Sequence, residues 1–175
     1  GYKDRIFILK MDPNGDILWW KFYPQFTDQD GLIGGIELAS EDSGFYFKAY
    51  INPEQRLYKL DKNGNILWSI PINQNPSKAT YYSLKESGDN IIVANAYYTY
   101  QTSGHWLPSL CVTSVNHKTQ SINWEKNFYE NQLNSIFPRG ETMRIMTTKS
   151  GNIAIGMAGA TEWDDRPNIL LLNQN

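Results

Sequence analysis

A chain of 175 residues with 41% hydrophobic content is long enough for one ordinary domain with a sizeable core. Its 16 basic and 18 acidic side chains give a net charge of −2 with no basic block, which argues against nucleic acid as a partner. No apolar run approaches the roughly 20 residues of a membrane-spanning helix, and the opening residues carry no signal-peptide pattern, although a sequence opening on Gly1 can have been processed.

The single cysteine, Cys111, excludes an internal disulfide framework and a multi-cysteine metal site. Within Leu110-Cys111-Val112 it reads as a buried small hydrophobe. Aromatic residues make up 14% of the chain and crowd short segments separated by Gly, Asn, Asp and Pro, which predicts an all-β fold.

In chain order, the first unit (residues 1–27) holds Ile8-Leu9-Lys10-Met11-Asp12-Pro13-Asn14-Gly15-Asp16-Ile17-Leu18-Trp19. A second unit (28–75) opens with a hairpin turning at Ser43-Gly44 and continues into Leu57-Tyr58-Lys59-Leu60-Asp61-Lys62-Asn63-Gly64-Asn65-Ile66-Leu67-Trp68. The third (76–131) turns at Ser87-Gly88 and repeats the motif more loosely from Val115 to Trp124, with one extra turn residue and Gln120 in place of glycine. The last (132–175) turns at Ser150-Gly151 and closes on Ile169-Leu170-Leu171-Leu172-Asn173, which matches the start of the motif. The three tryptophans stand 49 and 56 residues apart.

Each copy reads as strand, tight turn, strand. Asp or Asn bonds the following backbone, and glycine supplies the left-handed conformation. Ile17, Ile66 and Ile122 each precede the tryptophan by two residues, so strand alternation predicts that both side chains share a buried face. Strands number two, four, four and three along the units, and a repeat of 40 to 50 residues with four strands is the mark of a propeller blade. A closed ring of such blades needs complete ones, so the expectation is a segment of a larger β-propeller spanning residues 1–175 as one region.

The hairpin resembles the tryptophan-docking repeat of quinoprotein-like β-propellers, in which an acidic residue, a turn glycine and a tryptophan four residues later recur once per blade. Gly15 to Trp19 and Gly64 to Trp68 keep that spacing. It is also similar to the Asp-x-Asn-Gly-x-Ile-Leu-Trp repeats of secreted and surface proteins of Bacteroidota. The resemblance implies that Asp12, Gly15, Trp19, Asp61, Gly64, Trp68 and Trp124 are structural docking residues, and that the chain acts outside the cytoplasm, in the periplasm, at the cell surface or extracellularly. Such families share a fold and not one function.

For ligand contact, two segments stand out on what the propeller arrangement makes one face. One is the aromatic stretch around Tyr98, Tyr100 and Trp106, and the other the stretch carrying Trp163, Asp165 and Arg166. Such rings suit a protein interface or carbohydrate stacking. No nucleophile motif appears, so no catalytic residue is assigned. The Asp12 and Asp61 turns superficially resemble calcium loops, but glycine falls two residues early and no glutamate closes the site, so no metal or cofactor is expected. The expectation is a non-enzymatic binding or scaffolding module with a protein partner or the rest of a parent propeller, with a glycan binder or a fragment of a propeller oxidoreductase as alternatives.

Overall fold

The computed structural model describes residues 5–27, 36–51, 54–72, 79–100, 106–129, 142–148, 152–158 and 168–172. Among these the chain is all-β, with thirteen strands in four antiparallel sheets and no helix. It divides into two compact units, Gly1–Pro76 and Ser77–Asn175.

In the first unit β1 (Arg5–Met11) and β2 (Ile17–Thr27) form a two-stranded sheet. A four-stranded meander follows in the order β3 (Ile36–Leu38), β4 (Phe45–Ile51), β5 (Glu54–Leu60) and β6 (Ile66–Pro71). The two sheets meet through Ile8, Tyr23, Phe45, Phe47, Ala49, Tyr58 and Leu60, with Trp19 half-buried against them. Alternate residues of β4 and β5 supply that layer, as the two-residue period of a strand requires.

The second unit contains β7 (Ala79–Ser87), β8 (Asn90–Tyr100), β9 (Trp106–Asn116) and β10 (Ser121–Tyr129) in one meander. Its second sheet is β11 (Thr142–Thr147), β12 (Ile153–Ala158) and β13 (Asn168–Leu172). Ile92, Ala94, Leu110 and Val112 of the first sheet pack against Met143, Ile145, Ile153 and Ile155 of the second, with Trp124 and Phe128 at the margin. The Ser83 hydroxyl accepts a bond from the Ile145 amide at 3.3 Å and ties β7 to β11. Cys111 is fully buried within β9.

The motif turns form as their residues dictate. Asp12 accepts the amides of Asn14 and Asp16 at 2.8 and 2.9 Å, and Asp61 accepts those of Asn63 and Asn65 at 2.8 Å each. Gly15 and Gly64 take φ of 92° and 77°, and Gln120 holds the same left-handed region at 54° without being glycine. At the β3–β4 turn the left-handed residue is Ser43 at 56°, not Gly44. Gly44 is required for another reason: a Cβ there would run into the Leu60 carbonyl oxygen.

One expectation fails. Ile17, Ile66 and Ile122 are exposed, whereas the tryptophans two residues on are half-buried. In each copy a bulge falls between isoleucine and tryptophan: Met11 and Lys10 pair with Ile17 and Trp19, Leu60 and Lys59 with Ile66 and Trp68, Val115 and Ser114 with Ile122 and Trp124. One residue, Leu18, Leu67 or Asn123, is therefore left unopposed between the paired positions, and it breaks the alternation that would put both side chains on one face.

Candidate functional site

The best-defined polar arrangement in the first unit surrounds the β5–β6 turn, where β2 docks onto the neighbouring sheet. Trp19 Nε1 donates to the Lys62 carbonyl oxygen at 3.0 Å, and the Tyr23 hydroxyl donates to the Gly64 carbonyl oxygen at 2.7 Å. Lys21, on the same strand face, donates to Asn65 Oδ1 at 2.5 Å, and Lys10 reaches the Lys62 carbonyl at 3.3 Å. Trp19, Lys21 and Tyr23 are spaced by two, so one strand face carries all three contacts.

The apolar half of the contact is aromatic. Trp19 meets Phe45 edge-on with ring centroids 5.9 Å apart, and Tyr23 tilts against Phe47 at 6.2 Å. Gly64 makes this fit possible. A Cβ at that position would lie 2.8 Å from Trp19 Cη2 and 3.0 Å from the Tyr23 hydroxyl, so the glycine serves close approach as well as turn geometry. Burial, and then the nearby Asp61 charge, pushes the Tyr23 hydroxyl up to about 12, which keeps it a donor. Hydrogen bonds from the Asn65 amide and side chain hold the Asp61 carboxyl below its usual range.

Behind the turn, the buried Lys59 pairs with Asp42 at 2.8 Å and lies 4.2 Å from the centre of the Tyr46 ring. Desolvation opposes ionisation of Asp42, but the Lys59 ammonium and the Gly44 amide hold its carboxyl lowered. This ties the β3–β4 turn to β5.

In the second unit Trp124 and Phe128 take the places on β10 that Trp19 and Tyr23 hold on β2, and both pack on the core shared with β11 and β12. Ile72 stands four residues after Trp68 and is 1% exposed. The sequence reading stopped at each tryptophan and did not mark the buried residue four positions on. The even spacing of four along a strand was the signal for it.

Of the proposed ligand contacts, Tyr98 and Tyr100 lie on β8 and Trp106 on β9, with Tyr98 opposite Pro108 and Tyr100 opposite Trp106. The backbone there is a hairpin of β8 and β9, paired as far as Tyr100 and Trp106. Trp163, Asp165 and Arg166 lie outside the described residues. No helix among the described residues is long and apolar enough to cross a membrane.

Comparison of the chain with protein-family models, with curated proteins and with solved structures gave no match.

Proposed function

We propose that the chain is a segment of a tryptophan-docked β-propeller, acting outside the cytoplasm as a non-enzymatic binding or scaffolding module with a protein partner. The observation that carries the reading is the Trp19–Tyr23 dock: the closing strand of one hairpin unit stapled to the Lys62 and Gly64 carbonyls of the next. The packing of Trp124 and Phe128 on the β11–β12 core supports the same construction in the second unit. An array whose units are joined through turns leaves the other ends of its hairpins available for partners. Tyr98, Tyr100 and Trp106 occupy such an end of β8–β9, and Trp163, Asp165 and Arg166 complete the proposed contact set.

Electron microscopy of the natural gene product tests the architecture: a ring of four-stranded blades is expected, and a sandwich or an open stack overturns it. The binding role is tested by partner capture with Trp106→Ala and Trp163→Ala. Each is expected to weaken capture about tenfold or more without lowering the melting temperature. Unchanged capture overturns this contact set, and selective retention of oligosaccharides on a glycan array moves the reading to carbohydrate.

A further inference from the structure

The dipeptide Asn-Gly occurs twice, at Asn14-Gly15 and Asn63-Gly64, in equivalent places of the first two motif copies. Glycine after asparagine leaves the backbone nitrogen without a neighbouring side chain to shield it, so its attack on the asparagine amide meets the least steric resistance a peptide offers. Both asparagines are exposed, and both glycines are left-handed. Gly15 and Gly64 also donate their amides to the carbonyl oxygens of Asp12 and Asp61, at 3.1 and 3.0 Å. An amide engaged in this way gives up its proton and turns onto the side chain only when its turn opens. The two turns differ in what holds them shut.

The Asn63-Gly64 turn is gripped from the neighbouring sheet. Lys10 and Trp19 donate to the Lys62 carbonyl oxygen, Lys21 to Asn65 Oδ1, and Tyr23 to the Gly64 carbonyl oxygen. Gly64 is buried, and the Trp19 ring fills the place of its missing side chain. The Asn14-Gly15 turn is held only by itself: among the described residues, the turn hydrogen bonds of residues 12–16 all close within that segment. Gly15 is exposed, and a Cβ there would meet only Met11 Cε at 3.9 Å. The Asn14 side-chain amide donates to Asp12 Oδ2 at 3.5 Å, a weak restraint at the limit of hydrogen-bond length.

We propose that Asn14 is a site of spontaneous backbone modification, deamidating to aspartate and isoaspartate, and that docking of the β1–β2 sheet protects Asn63 from the same reaction. The Gly15 nitrogen gives its proton to hydroxide and bonds to Asn14 Cγ. The Cγ–Nδ2 bond breaks, and ammonia leaves with a proton from water. The succinimide so formed takes up one water: opening at Cγ gives aspartate, and opening at the backbone carbonyl carbon gives isoaspartate, with the chain routed through the side chain. Nothing is oxidised or reduced, and the chain becomes one unit more negative. Either product sets a carboxylate beside Asp12, and isoaspartate adds a methylene between the Asn14 and Asp16 amides that Asp12 accepts. The reactivity of Asn14 stands apart from the docking reading, whereas the protection of Asn63 rests on it.

The test incubates the full chain in mildly alkaline buffer, folded and in concentrated urea, and follows by peptide mapping the gain of about 1 Da at each asparagine. In urea the two sites are expected to react within about threefold of each other, because the following glycine dominates. In the folded chain Asn14 is expected to react at least about tenfold faster than Asn63. Tyr23→Phe keeps the ring and removes one bond at Gly64. It is expected to speed Asn63 about fivefold, with the rate at Asn14 and the circular dichroism of the folded chain unchanged. Folded-state rates at Asn14 as slow as at Asn63 overturn the modification site. A fast Asn14 with Asn63 unmoved by Tyr23→Phe and by Trp19→Ala overturns the protection, and with it the docking reading, while the site at Asn14 stands.

Discussion

Trp19 and Gly64 are fitted to each other: the indole occupies the space a side chain at residue 64 would fill, with Trp19 Cη2 2.8 Å from the position of a Cβ. The same indole donates to Lys62, one residue into the turn, at 3.0 Å. Trp19→Ala removes both packing and bond and is expected to cost about 3 kcal/mol. Trp19→Phe keeps much of the ring and loses the donor, for about 1 to 2 kcal/mol. Urea unfolding of the two variants checks the order.

Gly15 and Gly64 share a left-handed backbone, so alanine at either carries a strain of about 1 kcal/mol. Only at residue 64 does the new methyl also meet Trp19 and Tyr23. Gly64→Ala should therefore be the more destabilising by at least about 1 kcal/mol. Equal melting temperatures would remove the docking role of Gly64.

Gly44 is buried but not left-handed, and its requirement is proximity to the Leu60 carbonyl. Gly44→Ala should force β4 away from β5 at that point and cost at least about 2 kcal/mol, with loss of the Asp42–Lys59 pair at 2.8 Å. Thermal unfolding measures the cost, and amide exchange at Leu60 and Lys59 locates it.

Two groups at the dock titrate in opposite directions. The Asp61 carboxyl is lowered, so it contributes stability above the unfolded value of about 3.9 that is lost as pH falls through the folded value. Asp61→Asn should flatten the acid limb of the stability curve. Tyr23 is raised to about 12, so the unfolded chain loses this proton first and stability falls as pH climbs from about 10 toward the folded value. Tyr23→Phe should reduce that alkaline slope. Chemical denaturation across pH reads both.

The hairpins were legible because their turn chemistry is local. Aspartate two and four residues ahead of the amides it accepts, and glycine before the second strand, specify the turn from sequence alone. Gln120 was marked as a substitute for glycine, and it holds the left-handed conformation that substitution demands. The face of Ile17, Ile66 and Ile122 was not legible. A bulge is a property of register between two strands, and nothing in either strand's own alternation announces it. At Ser43-Gly44 the sequence marks a turn without marking which residue is left-handed; it is Ser43, and the Leu60 carbonyl sets the need for glycine at residue 44. The dock became visible only with the fold. Its partners, Trp19 and Lys62, lie 43 residues apart, and the sequence marks the tryptophan without marking the carbonyl that receives it.

The measurement that tests the docked-repeat account most directly is a nuclear Overhauser spectrum of the full chain, read between the Trp19 indole Nε1 proton and the Gly64 α protons. The account predicts a strong cross-peak and slow exchange of the indole proton, since the ring lies against residue 64 and its donor is engaged by Lys62. An assigned Trp19 indole with no cross-peak to the Lys62–Gly64 turn, exchanging as fast as the exposed Trp20, would contradict it.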